Sequence, residues 1–331
     1  MNQTVMTQTL LSVKDLSVEF VGHKSTVHAV NGVNLRVNAG EIVGIVGESG
    51  CGKSTAVKGI LGLLQAPGKV TGGSAELTGH GDLLSIKNKN LRKVRGASVG
   101  YVAQNPFGSL NPIYSIEEQF RNILKAHGQP SAKNVARERA RAMLTSVGIA
   151  GPDRVLDGYS HQLSGGMAQR VVIAMAMLLE PELIIADEPT TGLDVTVQRQ
   201  ILDLIRDRVV DSTRGILLVT HDLGVIAQYC HRVVVMYAGK VVEAGSVETV
   251  FLNPAHPYTS ALLGAIPRPG HELTRLLGSV PDLRVVPTDC SFRPRCKHAF
   301  EACSVSPDLR EIAPDHLVAC HLSERVGHAA S

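Results

Sequence analysis

GESGCGKST occupies residues 47–55, directly after the apolar run EIVGIV of residues 41–46. It fits the pattern Gly-x-x-x-x-Gly-Lys-Ser/Thr, and residues 53–64 behind it have helical character. A short buried strand, a glycine-rich turn and a helix start, in that order, form the setting a phosphate-binding loop requires. Gly47, Gly50 and Gly52 let consecutive backbone N–H groups, those around Ser49 and Thr55 included, curl about phosphate oxygens, and the helix N-terminus adds a favourable dipole. Lys53 reaches the terminal phosphates as a point charge, and the Ser54 hydroxyl is placed to ligate Mg²⁺. Cys51 sits at a variable position of the loop and reads as a small filler, not a nucleophile.

Outward from that loop the chain alternates strands and helices. Residues 11–20 and 27–37 read as strands and 99–103 as a shorter one. The pattern turns helical from about 116 to 147, again over 166–179, and over 195–209. LIIAD (183–187) and GILLVT (215–220) are buried-type strands. This order points to an α/β core with a mostly parallel sheet. Asp187 then emerges at the carboxyl edge of the sheet, where ligands collect, as an acid for a nucleotide's metal. Glu188 follows it; on residues alone it is either the acid that faces an attacking water or a solvated loop acid.

Bulk properties narrow the class. At 331 residues the chain exceeds one typical core, so two folding units are expected. A hydrophobic content of 44% with 19% charged residues describes a globular chain. The net charge of +3 with no polybasic block gives no electrostatic case for nucleic acid. The N-terminal stretch lacks a secretory signal, and the longest apolar run, VVIAMAMLL (171–179), is about half of a membrane span. A cytosolic setting is therefore expected, where structural disulfides are rare.

LSGGMAQR (163–170) is similar to the signature loop of ATP-binding-cassette ATPases. The other motifs stand in that family's order: GESGCGKST, Gln104 in YVAQNPF, LIIADEP, GLD (192–194) and VTHDL (219–223). The resemblance runs from about residue 8 to 262. It implies a P-loop ATPase of the cassette type with a helical subdomain at about 105–165, binding ATP and Mg²⁺. It implies two such subunits head to tail, each ATP held between the phosphate loop of one and Ser164, Gly165 and Gly166 of the other. On residues alone, Ser-Gly-Gly ahead of a helix is a second anion-binding helix start or a plain N-cap. Carried over position by position, Gln104 resembles the glutamine that contacts Mg²⁺ or the attacking water, and Glu188 the general base. His221 resembles the switch histidine on the γ-phosphate, Asp187 and Ser54 the Mg²⁺ ligands, and Asp194 the aspartate of the loop that crosses the dimer. Phe20 stands where the family often stacks an aromatic on adenine, although an ordinary core aromatic would also suit that strand end.

Residues 231–267, with NPAHPYTSALL, resemble the ATPase subunits of bacterial oligopeptide, dipeptide and nickel importers; so do NPFGSLNP (105–112) and the cysteine-bearing tail. The expected organisation is an ATPase domain over 1–262 and a small C-terminal domain over 263–331. The resemblance implies a second, homologous or identical ATPase subunit, two membrane permease subunits and an extracytoplasmic solute-binding protein. It places the chain on the cytoplasmic face of the cell membrane, as a peripheral protein. Soluble cassette ATPases of DNA repair or translation are the alternative. Repair types insert a long coiled coil between phosphate loop and signature, whereas Lys53 and Ser164 here are 111 residues apart. Translation types carry two cassettes, and this chain has one.

Four of the six cysteines lie in the tail, spaced Cys290-x5-Cys296-x6-Cys303-x16-Cys320. A disulfide staple is disfavoured by compartment. A zinc site lacks the usual close pair, and ferredoxin spacings do not match either. The subfamily resemblance favours a [4Fe–4S] cluster, with zinc or unligated packing as alternatives. His298, His316 and His321 lie nearby as substitutes or outer-shell groups.

Overall fold

The computed structural model describes residues 8–207, 213–266 and 278–323. Its strands are β1 (Thr9–Val21), β2 (Thr26–Asn38), β3 (Ile42–Val46), β4 (Gly68–Leu77), β5 (Gly81–Asp82), β6 (Val99–Val102), β7 (Leu183–Asp187), β8 (Gly215–Val219), β9 (Arg232–Tyr237), β10 (Lys240–Ser246), β11 (Arg310–Ala313) and β12 (His316–Val318). The helices are α1 (Lys53–Ile60), α2 (Asn88–Ala97), α3 (Pro106–Ser109), α4 (Ile116–Ala126), α5 (Lys133–Ser146), α6 (Pro152–Asp157), α7 (Gly165–Met177), α8 (Val195–Arg206), α9 (Leu223–Tyr229), α10 (Val247–Leu252) and α11 (Pro257–Gly264). The chain forms two compact units that interleave in sequence: Met1–Leu10, Asn38–Glu41 and Ile86–Leu218 make one, and Leu11–Val37, Ile42–Ser85 and Val219–Ser331 the other.

The first unit holds β8, β7 and β6 side by side, with β6 and β7 parallel from Val99 opposite Leu183 to Val102 opposite Ala186. Both LIIAD and GILLV are buried along their whole length, which is why they read as unbroken apolar runs. Helices α4, α5 and α6 bury Ile116, Phe120, Leu124, Ala136, Ala140, Leu144 and Leu156 among themselves and their neighbours. The long helical pattern from 116 to 147 is broken at Gly128, whose φ of 65° ends α4, and at Pro130 beyond it. Ser115 opens α4 with a capping box closed by Glu118.

The second unit contains a sheet in the order β2-β1-β4-β5 and, from the eight-stranded sheet, the strands β11-β12-β10-β9-β3 in that order. In the latter only β3 and β9 run parallel; β9, β10, β12 and β11 pair antiparallel. The expected mostly parallel sheet is thus a mixed one. Strand β4 carries three glycines, which hid it in the sequence pattern. One apolar core joins Val233, Val235, Tyr237, Tyr258, Leu263 and Phe292, with Cys290 and Cys296 packed against it. The helix expected over 195–209 is seen over Val195–Arg206; position 209 lies outside the described residues.

Candidate nucleotide site

The phosphate loop lies between β3 and α1. Gly52, the residue before α1, has φ of 103°, and a Cβ there would stand 2.4 Å from the Ala29 carbonyl oxygen. A side chain at Gly47 would meet the Met236 carbonyl oxygen at 2.2 Å. The loop therefore needs glycine for both conformation and space. Lys53 is 4% exposed, and its Nζ donates to the Gly47 and Glu48 carbonyl oxygens at 2.8 and 3.1 Å. A buried ammonium held by neutral carbonyls is a cation poised for an anion. Burial pushes the Cys51 thiol up, in keeping with a small filler. Ser54 and Thr55 are half-buried in the first turn of α1, and Ser49 and Gly50 are exposed at the tip of the loop.

Two further residues of this unit were expected at the nucleotide. Phe20 is half-buried on β1 opposite Gly68, and a Cβ on Gly68 would come within 2.8 Å of its ring. His221 is exposed just after β8, ahead of Asp222, whose carboxylate caps α9.

The other unit carries the acids. Asp187 closes β7 at 1% exposure, and the Tyr101 hydroxyl donates to its Oδ2 at 3.3 Å. Burial and the neighbouring Asp187 charge push the Tyr101 phenol well up, so it stays a donor. Glu188 turns the chain with φ of 47°, a left-handed conformation that costs a non-glycine residue about 1–3 kcal/mol and collects at functional sites. Its Oε2 accepts from Gln104 Nε2 at 3.0 Å and from Thr191 Oγ1 at 2.9 Å. The structure thus joins two of the catalytic residues expected from sequence. Thr191 and Tyr101 were missed, because only the fold puts their hydroxyls beside the acids.

On the same unit Ser164 caps α7 through Met167 N, and both Ser164 and Gly165 are exposed. Gly166 faces α8, where a Cβ would stand 3.2 Å from Val197. Arg170 ties α7 down through the Val147 carbonyl and Gln200. Asp194 caps α8, accepting from Val197 N at 3.0 Å.

The family described as ABC transporter matches residues 30–191, and the oligopeptide/dipeptide transporter C-terminal region matches 242–303. The chain is 44% identical to the oligopeptide transport ATP-binding protein OppD of Escherichia coli, over 94% of this chain and 92% of that one. It is 44% identical to the dipeptide transport ATP-binding protein DppD of Bacillus subtilis, over 97% of each. The chain belongs to the ABC transporter family of ATPases. As a member it is an ATP-hydrolysing subunit that powers transport. Among solved structures, the dimeric ATP-binding cassette MJ0796 in a post-hydrolysis state with ADP and phosphate matches it with a TM-score of 0.65 and 27% identity, over 72% of this chain and 99% of that one. The protein cbiO1 of Clostridium perfringens, part of the ABC transporter complex cbiONQ, matches with a TM-score of 0.61 and 28% identity, over 74% of this chain and 92% of that one.

The four tail cysteines of this ABC subunit are where the subfamily resemblance implies a [4Fe–4S] cluster, with zinc or unligated packing as alternatives. Cys290, Cys296, Cys303 and Cys320 are free thiols near one another; Cys290 N donates to the Cys303 carbonyl at 3.0 Å, and Cys320 lies within electrostatic reach of the other three. Yet among the described residues no three His, Cys, Asp or Glu side chains are grouped so as to hold a metal ion. Cys303 is 7% exposed, Cys290 and Cys296 pack on the apolar core, and burial pushes the thiols of Cys290, Cys296 and Cys320 up, favouring the protonated form over the thiolate. Nor do the nearby histidines complete a set: His316 is engaged with Glu243 at 2.8 Å and His321 with the Val305 carbonyl, while His298 is exposed.

Proposed function

We propose that this chain is the ATP-hydrolysing subunit of an importer for peptides or related solutes, and that the bound nucleotide is MgATP. The observation that carries the reading is the Gln104–Glu188 hydrogen bond at the end of the buried strand, beside Asp187. In this reading Lys53 and the loop residues Gly47, Ser49, Gly50, Gly52 and Thr55 hold the phosphates, and Phe20 lies on the adenine. Ser54, Asp187 and Gln104 hold Mg²⁺, which neutralises phosphate charge when bound. Glu188 takes the proton of the attacking water, with Gln104 and Thr191 holding its carboxylate in place. His221 touches the γ-phosphate.

Ser164, Gly165, Gly166 and Asp194 act on the nucleotide of a second ATPase subunit. Ser164 and Gly165 are exposed at the start of α7, which leaves that helix start open to an anion from the second subunit. ATP binding closes such a pair and hydrolysis reopens it, shifting the population of transporter states.

The transport assignment draws on the oligopeptide- and dipeptide-transport names of relatives that match nearly the whole chain. Phe107, Ile113 and Tyr114, exposed by 44, 78 and 45%, give the segment after Gln104 an apolar surface for two membrane permease subunits. No described helix is long and apolar enough to cross a membrane. In this scheme the chain works as a peripheral subunit on the cytoplasmic face. Solute choice falls to an extracytoplasmic binding protein and the permeases. An ATPase domain over 1–262 and a C-terminal domain over 263–331 complete the proposal. For the tail, the support for a [4Fe–4S] cluster, or zinc, is the resemblance and the nearness of four thiols. Any such metal must displace their protons, and no catalytic role is assigned to it.

Glu188→Gln keeps the Gln104 contact but removes the base. The purified variant should bind ATP yet hydrolyse it slower by at least about 100-fold. Near-normal turnover would overturn the assignment.

A further inference from the structure

We propose that Arg295, in the cysteine-bearing tail, is a positioning residue for nucleotide binding: it neutralises and anchors Glu48 inside the phosphate loop. The inference rests on the reading that residues 47–55 hold ATP.

An acid within a loop built to surround a polyanion is an electrostatic liability, and Glu48 follows Gly47 directly. The structure shows how it is met. Arg295 closes a short turn between Cys290 and Cys296, and its side chain is 4% exposed. Its Nη1 donates to Glu48 Oε2 at 2.7 Å and its Nη2 to Oε1 at 3.0 Å, the two-pronged geometry that guanidinium forms with carboxylate. A third bond reaches the Tyr237 hydroxyl at 3.3 Å, and the guanidinium carbon lies 5.7 Å from the Tyr237 ring centre and 5.9 Å from that of Phe292. Phe292 and Tyr237 stand edge to face at 5.3 Å, so the arginine is fixed by packing before it meets the acid.

Glu48 is also a node of the loop's main chain. Its N–H donates to the Tyr258 hydroxyl at 2.9 Å, while its carbonyl accepts from Lys53 Nζ at 3.1 Å and Cys51 N at 3.2 Å. Any movement of Glu48 is therefore passed to the lysine that receives the phosphates. Arg295 performs two tasks at once: it cancels a negative charge carried by the phosphate loop, and it holds the residue on which Lys53 leans. The tail thereby acts on the nucleotide loop with no residue of its own touching ATP.

The test is titration of the purified full chain with a fluorescent ATP analogue and Mg²⁺, with circular dichroism checking the fold. Lys53→Ala is the control for the underlying reading; unchanged affinity there would mean the loop does not hold ATP at all. Arg295→Gln should raise Kd by at least about ten-fold, because it leaves an unpaired carboxylate in the phosphate loop. Adding Glu48→Gln to that variant should restore Kd to within about three-fold of wild type, since the repelling charge is gone. Removing the acid would not rescue a residue whose only role is to hold the tail together. A folded Arg295→Gln protein with wild-type Kd, or a double variant as weak as the single, overturns the proposal. Should Arg295→Gln not fold, Arg295→Lys carries the test: it keeps the charge but loses the fork, so its Kd should rise about two- to five-fold, and an unchanged Kd refutes the positioning role.

Discussion

His256 should make this subunit acid-sensitive. The residue is 2% exposed and caps α11, its Nδ1 accepting from Tyr258 N at 3.0 Å. That nitrogen must stay unprotonated for the cap to exist, and burial holds the ring pKa down to about 3, against 6.5 for a free imidazole. The folded-state value is lowered, so the unfolded chain binds the extra proton first. Stability contributed by neutral His256 is complete above about pH 6.5 and is lost as pH falls from there towards 3. One such proton gives a slope of up to about 1.4 kcal/mol per pH unit, or roughly 2 kcal/mol between pH 7 and 5. His256→Asn supplies an uncharged acceptor for the same cap. Urea unfolding of both proteins at pH 7 and pH 5, followed by far-UV circular dichroism, isolates the term, because all other titrating groups are common to the two. The wild type should lose about 2 kcal/mol more than the variant over that interval. Parallel pH dependences would refute the reasoning. Because the Tyr258 hydroxyl accepts from Glu48 N, the same acidification should loosen the phosphate loop before the chain unfolds as a whole.

Two other outcomes follow from the same geometry. Gly52→Ala forces a Cβ to 2.4 Å from the Ala29 carbonyl oxygen in a left-handed conformation. It should cost about 1–3 kcal/mol and abolish nucleotide binding in a titration with the ATP analogue; a folded variant of normal affinity contradicts the loop geometry. Iron and acid-labile sulfide assays on anaerobically purified protein decide the state of the four tail cysteines. A cluster there should yield both elements and lose them in a Cys290→Ser, Cys296→Ser double variant, whereas zinc without sulfide or no metal at all would refute it.

The parts of the site legible in the sequence are those whose chemistry needs consecutive residues. A phosphate cradle is made by successive backbone N–H groups, so GESGCGKST announces itself; LIIADE does so because a wholly buried strand must be apolar until its acids emerge. Serine ahead of two glycines at the start of α7 is likewise local. Strand β4 was not legible, because its glycines erase the alternation that pairing with β1 supplies. Nor was the hold on Glu188 by Thr191, which follows from a left-handed turn that sequence pattern does not encode.

In the tail, counting residue types passes over one arginine. Four cysteines in a short segment draw attention to sulfur, and nothing in RPR between two of them marks one arginine as different from the other. Arg293 is exposed and pairs loosely with Asp289 at 3.7 Å, whereas Arg295 is buried and reaches Glu48 across 247 positions of chain. What separates them is the turn that carries them and the aromatic group of Tyr237 and Phe292 beneath. A buried arginine is tolerated only where its charge is matched. The match here is an acid that the phosphate loop could not otherwise carry without repelling its own ligand. Loop and tail each hold the residue that makes the other's charge acceptable, so altering either one alone should be worse than altering both.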